Sequence, residues 1–389
     1  MNTRSYLIVV SISAMLLLGL TGCFNISTQP SSTGQSAATV PTVPTVPTVP
    51  TVPNINVPSN GVHPAPASLQ YICDLEDSKA NAVGIKGTDL GIPVSLPSQK
   101  SWWFLFGDVN GEKTAEGGSA VLQAETPFDC SNTFWKTNPG GKYYQPLTSK
   151  REPGDESTVP AGAIEVNGML YIYAMRVDHW GGPDATDAHG VLFKSRSGKF
   201  IEVFSWPVNE KHVNTSPVWG ELNGQQVIFM AITGKYRTSP VYLAYVNPSE
   251  IENQNAYHYL VGLDSNNAPI WSENINYAKP LPGMEDVEAG EISLVRNYRL
   301  GKYYLMFKNY QDNNSSFMLF SADNPYGHYS APTQFYPCAT SASWMQPGWG
   351  PCYGGYIMPD NFGGSGKEIY FTVSLWKPYT VILLKMELE

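Results

Sequence analysis

An Asn-Gly pair between two apolar runs admits little besides a tight β-hairpin, because both central residues of a type I′ turn need positive φ. This chain places one such pair at Asn167-Gly168, between Ala163–Val166 and Leu170–Met175. A second stands at Asn223-Gly224, between Pro217–Trp219 and Val227–Ala231. Leu294 to Phe307 turns similarly around Arg299-Leu300-Gly301-Lys302, and Gly354–Met358 pairs onward with Ile369–Val373. A third strand, Val241–Val246, follows one of these hairpins. Counting the segment around Asp89, units start near residues 87, 161, 216, 290 and 354. Such intervals suit four-stranded blades with variable loops. The prediction is an all-β five-bladed β-propeller, whose radial repetition leaves only short edges. A two-sheet sandwich array is the competitor, and the blade-sized return of one motif disfavours it. Helical periodicity is nearly absent; Asn247–Tyr259 is the best short stretch, with Asn247 and Ser249 as candidate caps around Pro248.

The N-terminus reads as an address. Arg4 supplies positive charge, Tyr6 to Leu20 a short apolar run, and Leu20-Thr21-Gly22-Cys23 a close that resembles a bacterial lipobox. The run is shorter than the roughly 20 residues that span a bilayer, so residues 1–22 are expected to be a lipoprotein signal peptide. Cys23 would then be lipidated and hold the protein to a membrane face. Phe24 stands where an inner-membrane retention signal would carry Asp, which favours the outer membrane in a Gram-negative host. Residues 23–66 form a tether with five Thr-Val-Pro repeats from Thr39 to Pro53. Proline at every third position matches polyproline II, a semi-rigid disordered spacer of about 3.1 Å per residue.

Residues 67–389 remain for folding. Charged residues make up only 15% of the chain and Tyr reaches 23 copies, a profile of many strands and aromatic surfaces. A net charge of −9 without a basic cluster argues against nucleic acid. Once Cys23 is set aside, Cys73, Cys130, Cys338 and Cys352 suggest two disulfides with three possible pairings. The short Trp-, Pro- and Gly-rich loop between Cys338 and Cys352 favours joining those two, which leaves Cys73 with Cys130.

Three acids carry the chemistry. Asp89 lies in Gly87-Thr88-Asp89-Leu90-Gly91, Asp108 follows Trp102–Phe106 and Gly107, and Glu291 lies in Ala289-Gly290-Glu291-Ile292-Ser293. A carboxylate beside glycine at a strand end can lie exposed in a cleft, since no neighbouring Cβ shields it. Asp beside Gly is also ordinary turn chemistry. The three together suggest glycoside hydrolysis, in which one carboxyl protonates the departing oxygen and another activates water or attacks carbon. Arg176 and Asp178 are candidates for substrate hydrogen bonds, a surface salt bridge being the plain alternative. His179, Trp180, His189, Trp219, Trp344, Trp349 and Trp376 are candidates for the cleft wall, where aromatic faces stack on sugars; most propeller tryptophans pack between blades instead. Neither histidine has metal-like spacing, and Gln311-Asp312-Asn313-Asn314 lacks the full calcium-loop pattern, so no metal or cofactor is expected. A serine hydrolase elbow is absent.

From about Leu69 to Glu389 the chain resembles a bacterial family filed as a domain of unknown function, DUF4185. The resemblance rests on Gly87–Gly91, Phe106-Gly107-Asp108, Gly290–Ser293, Ala322–Gly327 and Ser374-Leu375-Trp376-Lys377-Pro378-Tyr379. Some members are endo-D-arabinanases acting on mycobacterial D-arabinan, and the family is similar to five-bladed propeller arabinanases, xylosidases and fructosidases. The resemblance implies Asp89 as base or nucleophile and Glu291 as general acid. Asp108 would raise the acid's pKa by like-charge repulsion or orient the sugar. Lys194–Phe200 resembles a sialidase-type aspartate box without its Asp and Trp, which weakens a sialidase reading. The expectation is a surface-anchored glycoside hydrolase, endo-acting on arabinan or a related furanose-rich polysaccharide. The rival class is a non-catalytic propeller that binds glycans or proteins as an adhesin or envelope module.

Overall fold

The computed structural model describes residues 68–388, apart from 112–118, 126–127, 148–156, 182–184, 312–315, 340–341 and 343. The signal segment, Cys23, the tether and Asp312–Asn314 lie outside the described residues.

Five antiparallel sheets follow one another along the chain as the blades of a propeller. Their inner strands are Ile85–Leu96, Ser157–Val166, Asn214–Leu222, Ala289–Asn297 and Cys352–Ile357. These touch one another in ring order, the fifth returning to the first. The hairpins stand where the turn chemistry placed them, with φ of 52° and 76° at Asn167 and Gly168, and 53° and 77° at Asn223 and Gly224. Blade 3 is larger than expected, because Pro269–Ser272 adds a fifth strand.

Each second strand reads as a nearly unbroken apolar run because neighbouring blades cover both of its faces, so alternation is lost. Phe104, Phe229, Phe307 and Phe371 occupy such strands in four blades, and all four are fully buried. Truncating any one to Ala would cost about 3–5 kcal/mol. The buried apolar residues fall into five groups, one at each blade junction.

The ring closes through the chain's own start. Gln70–Asp74 pairs with Thr380–Glu387 and becomes the outermost strand of blade 5. Cys73 is bonded to Cys130, beside the outer edge of blade 1, and Cys338 to Cys352, with Cα separations of 6.5 Å and 5.8 Å. Among the described residues helix is confined to short pieces. Ser78–Ala82 is a five-residue helix that Asp77 caps at the Lys79 amide. Asn247–Tyr259 forms two three-residue 3₁₀ turns, Pro248–Glu250 and Gln254–Ala256. The Asn253 side chain captures the Asn255 amide and separates the two turns.

Candidate active site

Asp89 and Glu291 each stand on a β-bulge near the start of an inner strand. In blade 1 the pairing slips between Asp89 and Ile92, and in blade 4 between Ala289 and Ile292. A bulge adds one residue on one strand and so re-aims a side chain, which here turns both acids toward the axis. In blade 1, Leu90 and Gly91 take φ of 68° and 63°. The last blade holds this strained Leu90: its amide donates to Ser374 Oγ at 2.8 Å, and Thr372 Oγ1 donates to its carbonyl.

The glycines beside the acids act differently from the sequence expectation. A Cβ on Gly107 would strike Leu90 and Val159, and one on Gly290 would strike the Tyr310 ring. These glycines let neighbouring side chains close in, and the acids are consequently buried: Asp89 is 7% exposed and Glu291 3%. Asp108 is half-buried, with its backbone at φ 39° and its Oδ1 accepting from Ser157 Oγ at 2.8 Å. All three acids line one small cavity of about 30 Å³, to which each of the five inner strands contributes.

The two buried acids sit in opposite electrostatic settings. Asp89 is pushed up to about 7, first by burial and then by the charge of Asp108, against hydrogen bonds from Tyr379 and Tyr353. The Tyr353 hydroxyl donates to Asp89 Oδ2 at 2.9 Å. Burial pushes Glu291 upward as well, but the Arg237 guanidinium and the Tyr236 hydroxyl outweigh it and hold this carboxyl below its usual value. Both donate to Glu291 Oε1, at 2.7 Å and 2.6 Å. Arg237 itself lies 4.5 Å and 4.6 Å from the Tyr236 and Tyr310 ring centres. Asp89 Oδ1 and Glu291 Oε2 are buried without a protein partner. These settings favour a protonated Asp89 toward neutral pH and an ionised Glu291.

The remaining candidates divide. Trp376 is 40% exposed and stacks on Tyr353, ring centres 4.6 Å apart, which puts an aromatic face beside Asp89. Trp180 lines the acid cavity and meets Tyr236 edge-on. Arg176, Asp178 and His179 do not line it; Met175 and Trp180, from the same strand, do. Arg176 is buried and donates to Glu202 at 2.7 Å, while Asp178 meets His189 Nδ1 at 3.0 Å, so the anticipated salt bridge resolves into two separate pairs. His179 is exposed on the rim. Trp219 lies on the later half of its inner strand and lines a different cavity, with Nε1 donating to the Glu165 carbonyl. Trp344 and Trp349 pack against the blade 4–blade 5 core. Among the described residues no group of three or more His, Cys, Asp or Glu is arranged to hold a metal ion.

Sequence reasoning passed over Tyr236, Arg237 and Tyr353. A signal existed: Asp108, Arg237 and Tyr310 all fall within four residues of the end of a second strand, the end that meets the starts of the inner strands.

Five antiparallel blades around a buried acid cluster define a β-propeller with a carboxylate site on its axis. The chain belongs to the family described as Domain of unknown function (DUF4185), whose model matches residues 76–385. No curated protein shows a significant match. Among solved structures it is similar to a GH43_1 enzyme from Xanthomonas citri, at 12% identity over 81% of this chain and 89% of that chain, TM-score 0.45. It is also similar to a GH43 endo-arabinanase from Bacillus licheniformis, at 13% identity over 78% and 96%, TM-score 0.44. A third is an exo-beta-1,3-galactanase from Phanerochaete chrysosporium, at 9% identity over 83% and 64%, TM-score 0.49. Likeness at this level carries no residue roles.

Proposed function

We propose that this protein is a glycoside hydrolase, endo-acting on arabinan or a related furanose-rich polysaccharide and anchored outside the cell through Cys23. The observation that carries the reading is the convergence of Asp89, Asp108 and Glu291 on one cavity, with Asp89 raised to about 7 while Glu291 stays ionised. Splitting the pKa values of neighbouring carboxyls is how one site supplies both a proton and a base at neutral pH. Asp89 is the proton donor to the departing glycosidic oxygen. Asp108, the most accessible of the three, is the carboxylate that activates the attacking group. Glu291, held ionised by Arg237 and Tyr236, fixes the polar frame in which the sugar is oriented. Trp376, stacked on Tyr353, offers the adjoining sugar an aromatic face.

Digestion of purified arabinan, arabinogalactan and related glycans tests the reading by the oligosaccharides released. The wild-type chain should cleave at least one furanose-rich glycan. Asp89→Asn and Asp108→Asn should abolish cleavage with circular dichroism unchanged, and Glu291→Gln should reduce it sharply. No product from any glycan would move the reading to a binding module, and full activity in Asp89→Asn would remove the donor role.

A further inference from the structure

Tyr356 lines the acid cavity on one side and a second cavity on the other. The second is about 290 Å³, against about 30 Å³ at the acids, and lies toward the opposite mouth of the ring. Topology keeps the two apart: the acids occupy the starts of the inner strands, whereas this cavity is built from their later halves and the turns that follow. Its size lies just under the range of small-ligand clefts, about 300–1,000 Å³, and suits one or two small rings. Pro93, Pro217 and Pro359 stiffen the wall, so the space is formed in advance.

The lining has a specific chemistry. Ile164, Val218 and Leu294 are among the apolar residues of the wall, and Trp219 and Tyr298 add aromatic rings. The Trp219 indole is fixed by its bond to Glu165, and Tyr298 is 56% exposed. Arg296 places its guanidinium 4.8 Å from the Tyr298 ring centre and 5.4 Å from that of Tyr303, and its Nε is buried without a partner. Among the described residues Arg296 is in no ion pair with a carboxylate, and Asp360 and Glu165 line the same space. Arg296 is only half-buried on this wall, so a purely apolar ligand would leave the exposed part of its guanidinium unused. A phosphate would meet two carboxyl groups. Donors and acceptors set around apolar and aromatic faces fit a ligand whose ring is apolar on its faces and carries hydroxyls on its edge.

We infer that this opposite mouth is a second, non-catalytic carbohydrate site that holds one or two sugar rings through Trp219, Tyr298 and Arg296. It does not depend on the acid cavity being catalytic. Saturation-transfer NMR and calorimetry on the full chain would use arabinose, xylose, galactose and their disaccharides as probes. At least one should bind to Asp89→Asn and Glu291→Gln as it does to wild type. Tyr298→Ala and Arg296→Gln should each weaken that binding at least about tenfold, the scale of a lost anchor side chain. Tyr298 is exposed enough for its truncation to leave folding intact, so it decides the matter even where Arg296→Gln folds poorly. No binding by any probe, or binding lost in the acid variants and kept in Tyr298→Ala, would overturn the inference and leave a solvent-filled funnel. Glycan digestion by the same Tyr298→Ala preparation reports separately on the acid cavity.

Discussion

The Tyr353 hydroxyl donates a 2.9 Å hydrogen bond to Asp89, 264 positions earlier in the chain, so the last blade helps set the charge of the first blade's acid. That bond favours ionised Asp89 and opposes the upward push of burial and of Asp108. With Asp89 as donor, activity should fall as pH rises through about 7, because the reaction needs its proton. Tyr353→Phe removes a bond that favours the charged form, so Asp89 should keep its proton to higher pH. The alkaline limb of a pH–rate profile should move upward in this variant; a limb that stays fixed would detach Asp89 from it.

Arg237→Gln should be more damaging than the loss of one exposed ion pair. Arg237 and Glu291 are 6% and 3% exposed, and removing the cation strands a buried carboxylate. Breaking such a pair from one side costs about 3–5 kcal/mol. Denaturant unfolding should show this loss in the single variant, and the double variant Arg237→Gln/Glu291→Gln should recover much of it. Equal stability of single and double variants would mean that the pairing carries little of the effect.

Glu76 predicts a fall in stability toward alkaline pH. Burial, followed by the charge of Asp74, pushes its carboxyl from 4.5 up to about 9, although Oε1 accepts from the Thr88 and Val381 amides. A folded-state pKa above the unfolded one means that the folded protein binds more protons in this window. This group's contribution is therefore fully present below about 4.5 and is lost as pH rises toward about 9. Glu76→Gln keeps the accepting oxygen and removes the charge. Its melting temperature should decline less than that of wild type across the window, and parallel curves would refute the assignment.

Replacing Cys23 by Ser should move the protein from the membrane fraction to the soluble fraction, if lipidation at that position is the anchor. No helix among the described residues is long and apolar enough to cross a membrane. Fractionation followed by high-salt washing measures this, and continued pelleting would indicate another means of attachment.

Much of the architecture was legible because turn chemistry is local. Asn167-Gly168 and Asn223-Gly224, each between two apolar runs, take the positive φ of hairpin turns, and their spacing helped to carry the blade count. The three acids were legible for a similar reason, since each stands in a short run of small residues at a strand end. Their charge states were not. Those depend on Arg237, Tyr236 and Tyr353, brought in from other blades by folding alone. The bulges at Asp89 and Glu291 were equally hidden, because a register slip belongs to the paired strand as much as to the acid's own. The cavity that Trp219 lines was also hidden, because residue type alone does not say toward which mouth of a ring an inner strand has travelled by that position.

The closing of the ring by Gln70–Asp74 against Thr380–Glu387 also bears on the protein's synthesis. A growing chain acquires Asp89 early, while the tyrosine that bonds it arrives with Cys352–Ile357 and the strand that completes the circle arrives later still. Without those last residues Asp89 lacks its bond from Tyr353, and the cavity it shares with Glu291 lacks one wall. The pairing of Gln70–Asp74 with Thr380–Glu387 thus completes the enclosure on which the Asp89 setting depends.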